Sequence, residues 1–466
     1  MRGNACFSAL LSPAILLLFL ISTPTRGDIH LYVNEAETNM AQAAFLGVGF
    51  RVSAHLEGIT PREMNEVFAK RWHELSPSHA LAAHTWSWDW ERVVPFMKTV
   101  LQDSEIWLTT IEPSGATPEK LPDPARVAGM LERLVKKEGV GNVTAYCVNS
   151  GRLGPGSRGP TADAAQFCSE LSGKLKALGL KIRAVPGLPH GTLASADTGN
   201  TPVSEPEAGL RLAEATMAAI LAKAPAVTCM PFADLPPSMT GGNASDSGTF
   251  EWKKPGFKTR PPYYAAAILA KYIRGPVKTY PATCSNPKVK GVFLRGKHGW
   301  ATALIVNRTD QRFMSQLHLT DKELPGDKRH YVYRVGSVPV HPYGDVQPCE
   351  DHRIHSGKRI GWKIPLPPNS LSVMHCVPDT EPPEQIRFID VSEADTGGNQ
   401  LKWDPVVDKD VCYYRVVRMN MPRFKFARKT PIGSTIATQL VDANPPKDKK
   451  AYYAVIAVDQ YDNHIQ

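Results

Sequence analysis

Between Phe45 and Arg274 short apolar runs alternate with longer amphipathic stretches, and from Val277 onward the amphipathic stretches stop. This switch limits the fold more than any other feature of the chain. Strand–helix alternation over that length is satisfied by a parallel sheet with right-handed crossovers. Short strands separated only by turn residues are satisfied by an antiparallel sandwich. The strand candidates of the first region are Phe45–Val52, Ala80–His84, Glu105–Ile111, Val143–Val148, Lys181–Val185 and Ala226–Phe232. Thr60-Pro61-Arg62-Glu63 opens a helix between the first two, with Thr60 as cap, Pro61 at the first position and Glu63 completing a capping box. Further helices are read over Trp90–Leu101, Pro124–Lys137, Thr161–Leu178, Glu205–Ala222 and Pro261–Ile273. A TIM-like (β/α)8 barrel is the leading α/β architecture, yet only six strands are legible against the eight it needs. The shortfall lies between Pro186 and Glu205, where Gly, Thr, Ser and Asp dominate, so the barrel is either abbreviated or holds weak strands there.

In the second region Val292–Arg295, Ala301–Asn307, Gln316–Leu319, Tyr331–Val335 and Leu371–Met374 read as strands of an all-β sandwich. Pro378-Asp379-Thr380-Glu381-Pro382-Pro383 is a linker stiffened by proline. Beyond it Leu401–Trp403, Tyr413–Val417 and Tyr452–Val458 alternate like half-buried strands. The expected organisation is a signal peptide over 1–27, a barrel over 28–275, a sandwich over 276–378, a linker over 379–383 and a third β unit over 384–466.

The signal is read from Arg2, an apolar run from Ala9 to Ile21, and the small residues leading to Gly27. The run is too short to span a bilayer comfortably, although a retained anchor is the alternative. No later stretch is apolar enough to cross a membrane, so the mature chain is expected from about Asp28 as a secreted, periplasmic or cell-surface protein. The full chain's formal charge of +9 comes from scattered Lys and Arg, with only small clusters such as Lys447-Asp448-Lys449-Lys450. Nucleic acid is therefore not an expected partner. Cys349 and Cys376 are the favoured disulfide pair, since both fall in the sandwich, while Cys147, Cys168 and Cys229 read as buried thiols. Asn142, Asn243 and Asn307 head glycosylation sequons. His341, His352 and His355 lie near Cys349 and Glu350 without a zinc spacing, and Gly151–Gly156 lacks the Lys-Ser/Thr ending of a phosphate loop. No metal or cofactor is expected.

Several landmarks then fall in a familiar order: Phe45-Leu46-Gly47-Val48-Gly49, Trp86-Ser87-Trp88-Asp89-Trp90, Asn142-Val143-Thr144-Ala145-Tyr146, Ala233-Asp234-Leu235, Arg260-Pro261-Pro262-Tyr263-Tyr264 and Pro365-Leu366-Pro367-Pro368-Asn369-Ser370. Over Phe45 to Val377 this order resembles the clan of retaining glycoside hydrolases with a (β/α)8 barrel followed by a β-sandwich. The third unit resembles a fibronectin type III domain, with Trp403 early and Tyr453–Asp459 late, and is incomplete by that likeness. The resemblance implies two carboxyl groups about 5–5.5 Å apart flanking a glycosidic bond. In the family pattern the acid/base follows Asn at the end of the fourth strand; here Asn149 is followed by Ser150. A serine hydroxyl holds its proton too tightly to act as a general acid near neutral pH.

The family nucleophile ends the seventh strand, and the carboxylates of the corresponding region are Glu205 and Glu207. Both also suit a helix start, since Ser204 and Glu207 have the spacing of a capping box. Glu112 ends the third strand at the face where barrel sites form, and Glu57 follows the first. His84, Trp86 and Trp88 are candidates to line the cleft, because indole faces stack on sugar rings, or alternatively to pack in the core. Asn149, which could equally hold a turn, and Asp234 complete the expected polysaccharide or oligosaccharide site. Three functions stay open: a hydrolase with relocated carboxylates, a degenerate barrel that binds polysaccharide, and an interaction scaffold.

Overall fold

The computed structural model describes residues 28–34, 45–53, 59–84, 89–110, 121–148, 162–186, 202, 204–224, 226–234, 248–251, 258–296, 300–319, 327–335, 350–352, 362–377, 381–394, 397–407, 411–425, 427–435, 438–446, 450–459 and 464. After β1 (Asp28–Val33) come β2 (Phe45–Ser53), β3 (His79–His84), β4 (Glu105–Thr110), β5 (Val143–Val148), β6 (Arg183–Pro186) and β7 (Val227–Pro231). The last six pair in the order β7-β2-β3-β4-β5-β6, every pair parallel. Helices follow the strands, as parallel connection requires. Pro61–Glu63 (α1), a π-helical stretch Met64–Ala69 and Lys70–Leu75 (α2) run on from one another, with the Thr60–Glu63 capping box formed. Then come α3 (Trp90–Thr99), α4 (Pro124–Glu132) with a π turn over Arg133–Lys137, α5 (Ala162–Ala177), α6 (Pro206–Leu221) and α7 (Pro261–Tyr272).

The parallel sheet is curved, and its composition shows how. Gly49 of β2 leaves room for the His79 ring, which a Cβ there would overlap. His79 Nε2 therefore reaches across β2 to Thr228 Oγ1 of β7 at 2.9 Å. Two strands that both flank a third meet directly only if the sheet rolls toward that face. Inside the roll Leu81, Trp107, Ala145, Cys147 and Ala226 form one apolar cluster. Outside it Phe50, Phe68, Trp72, Phe232 and Phe250 pack between sheet and helices, with Trp72 and Phe250 each edge-on to Phe232 at 5.0 Å.

The sandwich comprises β8 (Arg274–Cys284), β9 (Val289–Gly296), β10 (Ala301–Asn307), β11 (Phe313–Leu319), β12 (Asp327–Arg334), β13 (Glu350–His352), β14 (Trp362–Leu366) and β15 (Ser370–Val377). Its strand order is β13-β12-β15-β10-β9-β8-β1-β11-β14. This corrects the expected division of the chain: β1 belongs to the sandwich, antiparallel to β8 and parallel to β11. The sandwich also has no solvated face along β10, all seven of whose residues are buried. Leu304 and Val306 join the barrel core, and Ala303 and Ile305 face Leu31 and Phe293.

The third unit has two small antiparallel sheets. One is β16 (Asp390–Glu393), β17 (Asn399–Lys402) and β20 (Gln439–Asp442); the other is β18 (Val411–Met419) flanked by β19 (Lys429–Thr435) and β21 (Tyr452–Asp459). Leu401, Trp403, Tyr414, Val416, Val455 and Ala457 fill the space between them.

Barrel and sandwich are clamped at the start of α6. Arg308, just past β10, binds Glu207 and Glu214 on one face of that helix. Tyr333 donates from its hydroxyl to Pro206 O at 2.5 Å, over Gly209, where a Cβ would overlap its ring. The Ser204–Glu207 capping box is not formed: the cap residue is Glu205, without a side-chain hydrogen bond, because Arg308 and Arg211 draw the Glu207 carboxylate away. The sequons at Asn142 and Asn307 are likewise structural. Asn142 Nδ2 donates to Leu101 O and Ser104 O at 2.7 Å, and buried Asn307 Nδ2 donates to Pro367 O at 2.8 Å. Asn243 and Cys349 lie outside the described residues; Cys376 is buried on β15.

Replacing Arg308 by Met should cost about 1–2 kcal/mol at pH 7, discounted for partial solvent screening of the clamp. The hydrogen bond from Arg308 is the chief cause that holds the Glu214 carboxyl below its ordinary value, against the opposing effect of burial. Its contribution is therefore complete above the ordinary carboxylate range and is lost as pH falls through the lowered value. Urea titrations of both proteins should show the stability gap at neutral pH and its narrowing in acid.

Candidate functional site

The parallel strands end nearly level, with Ser53 opposite Ala83, His84 opposite Thr110, and Val148 opposite Pro186. The loops that follow β2 to β6 thus leave from one face, the C-terminal face where barrel sites are built. Most of the candidates read from the sequence belong to those loops. His84 is the last residue of β3. Glu57, Trp86, Trp88, Glu112, Asn149 and Ser150 lie outside the described residues; in sequence they follow the ends of β2, β3, β4 and β5. Neither the expected stacking role of the tryptophans nor the acid/base position is described by the structure.

The remaining candidates are placed, and the structure does not bring them together. Asp234 is buried beyond β7, where its two carboxylate oxygens take Arg260 Nη1 and Nη2, the latter at 2.9 Å, and Oδ1 also accepts from Gly248 N at 3.0 Å. A carboxylate so engaged ties the segment after β7 to the start of α7. Glu207 is held in the barrel–sandwich clamp by Arg308. Glu205 is exposed at the cap of α6, with its backbone carbonyl accepting from Ala208 N.

Beneath the mouth the inner face is layered. At the bottom Glu105 accepts from Thr144 Oγ1 at 2.9 Å and from Trp107 Nε1 at 3.2 Å, and Arg183 lies 3.9 Å away. The His79 ring stacks on Trp107 with centroids 4.0 Å apart. Burial pushes the His79 imidazole down to about 3, so it stays neutral at ordinary pH and moves no proton there. Burial also pushes the Cys147 thiol up to about 12, which leaves it protonated and unreactive.

Two inner-face residues were missed by reading the sequence. Thr109 stands two positions beyond Trp107 on β4, level with Cys147, and its buried Oγ1 has no hydrogen-bond partner among the described residues. Arg51, opposite Leu81 and two positions beyond Gly49, carries a half-buried cation on the same side of β2. Period-two alternation was the available signal. It is concealed by apolar residues on both faces, as in parallel strands generally. Among the described residues no three metal-ligating side chains gather, and no helix is long and apolar enough to cross a membrane.

No family model matches the sequence, and no curated protein matches it. Solved structures do match. The family 30 subfamily 8 glycoside hydrolase xylanase Xyn30A from Clostridium acetobutylicum has a TM-score of 0.53 at 12% identity, covering 74% of this chain and 99% of its own. The catalytic domain of GH30 xylanase C from Talaromyces cellulolyticus has a TM-score of 0.50 at 11% identity, covering 75% and 100% respectively. The likeness establishes the fold, a TIM-barrel-type glycoside hydrolase fold with an attached β-sandwich.

Asp234→Asn should destabilise the chain by about 3 kcal/mol, because it leaves the buried Arg260 guanidinium without its counter-charge. Thr109→Val, by contrast, should leave stability unchanged or raise it by up to about 1 kcal/mol, since it removes a buried hydroxyl that lacks a partner among the described residues. Thermal unfolding of both variants checks the pair of expectations.

Proposed function

We propose that the chain is a glycoside hydrolase-like protein that binds a polysaccharide chain across the C-terminal mouth of its barrel, without ordinary retaining catalysis. The observation that carries this reading is the barrel-plus-sandwich fold shared with two xylanases. What weighs against turnover is the state of the carboxylates. Retaining hydrolysis needs one carboxyl free to donate a proton and one free to attack. Asp234 and Glu207 are each neutralised by an arginine. The position that resemblance gives to the acid/base is Ser150. Trp86, Trp88, His84 and Asn149 are the proposed sugar contacts. The segment over 1–27 is the proposed export signal, and the third unit a fibronectin type III-like module.

A second reading keeps catalysis. Glu112 follows the C-terminal end of β4 by two positions, where a carboxylate enters a barrel site. A displaced acid there would make the chain a hydrolase with relocated groups.

The test is a screen of the chain against aryl glycosides and plant, algal and animal polysaccharides, with Ser150→Glu and Trp86→Ala alongside. Binding without turnover, lost in Trp86→Ala, is the expected result. Turnover by the unmodified chain that Glu112→Gln abolishes would establish the second reading, and neither binding nor turnover would leave the scaffold role.

A further inference from the structure

At one end of the third unit, Met419 of β18 pairs with Lys429 of β19 on one side and Tyr452 of β21 on the other. The β18–β19 hairpin and the start of β21 therefore meet there. Arg423, Lys425, Arg428, Lys429 and Lys450 are all exposed at this end. None of the five forms an ion pair among the described residues; the ion pair seen nearby joins Arg418 to Asp442 at 2.7 Å. Glu384 lines the adjoining groove together with Phe424 and Ala454–Ala457. The cations sit on an ordered frame. Ala427 N donates to Arg423 O at 3.0 Å, and Arg428 N donates to Asn420 Oδ1 at 2.8 Å. Lys429 Nζ lies 3.6 Å above the Phe424 ring, and Lys450 Nζ lies 5.5 Å above Tyr452.

Five like charges, four on the hairpin and Lys450 beside it, repel one another, and an extended polyanion is the partner that relieves the repulsion. We propose that this basic end of the third unit binds an anionic polysaccharide, through carboxylate or sulfate groups. Single-stranded nucleic acid fits less well. Its binding relies on rings open for base stacking, and here Phe424 and Tyr452 are half-buried beneath lysines. A membrane surface fits less well too, because among the described residues of the hairpin Met421 is the one large apolar side chain that is exposed. The proposal stands apart from the barrel mouth and holds whether or not the barrel turns over its ligand.

The test uses the full chain with four probes: heparin, polygalacturonate, neutral dextran and a single-stranded oligodeoxythymidine. The expected result is salt-sensitive binding to heparin or polygalacturonate and none to dextran; the preferred probe tells sulfate from carboxylate recognition. The double variant Arg423→Gln/Lys425→Gln should bind about 10-fold more weakly, and Lys450→Gln, just before β21, about 5-fold. A charge-matched control on α5, Lys174→Gln/Lys176→Gln, should stay within about 2-fold of the parent, since counter-ion release depends on the cations in contact. Unchanged unfolding temperatures confirm that these exposed substitutions leave the fold intact. No binding to either polyanion, an equal loss in the control, or tighter binding to the oligonucleotide overturns the proposal.

Discussion

Everything in the barrel depends on one close approach. Gly49 has no side chain, so the His79 ring can lie against β2 and reach Thr228 on the far side. That contact sets the roll of the parallel sheet. The roll brings Trp107 under His79, encloses Cys147 and Ala145, and levels the strand ends on one face. Any side chain at position 49 would collide with backbone as well as ring, so nearby rotamer changes cannot absorb it. The neutral imidazole is a consequence of the same geometry, since a charged ring in that enclosure would go unsolvated.

Sandwich and barrel share one core. The outer face of β9, β10, β12 and β15 packs directly on α6 and α7, through Leu294, Leu304, Tyr331, Tyr333 and Val373. The Arg308 clamp therefore closes an apolar seam that already exists and fixes its register. This explains why the Glu207 carboxylate near the helix start is absorbed by structure. A half-buried guanidinium between two glutamates of one helix face leaves Glu207 little freedom to serve a ligand.

How much of this was legible in the sequence follows from the physics of each element. The six parallel strands and their helices could be read because length, capping chemistry and apolar runs agree; the Thr60 box is the clearest case. No strand is read over Asp28–Val33, and the segment falls inside the expected barrel unit, because parallel pairing with β11 is a non-local contact that leaves no local trace. The capping box at Ser204 failed because a competitor far along the chain, Arg308, binds the same carboxylate. Thr109 stayed hidden because a strand buried on both faces shows no alternation. The basic end of the third unit is only half legible: Arg423 to Lys429 is a short basic run in the sequence, but strand pairing is what sets it beside Lys450. Trp86, Trp88, Glu112, Asn149 and Ser150 follow the ends of adjacent strands in the sequence.

The pairing of β1 carries a consequence for how the molecule comes into being. Its antiparallel partner β8 and its parallel partner β11 are both made only after the whole barrel has been synthesised. At about 5–20 residues per second a ribosome needs on the order of 15–60 s to travel that distance. Throughout that interval Ile29, Leu31 and Val33 have no sheet to join. The emerging segment must be kept from pairing elsewhere, and a handling factor that holds an early apolar stretch extended would serve the maturation of this chain directly.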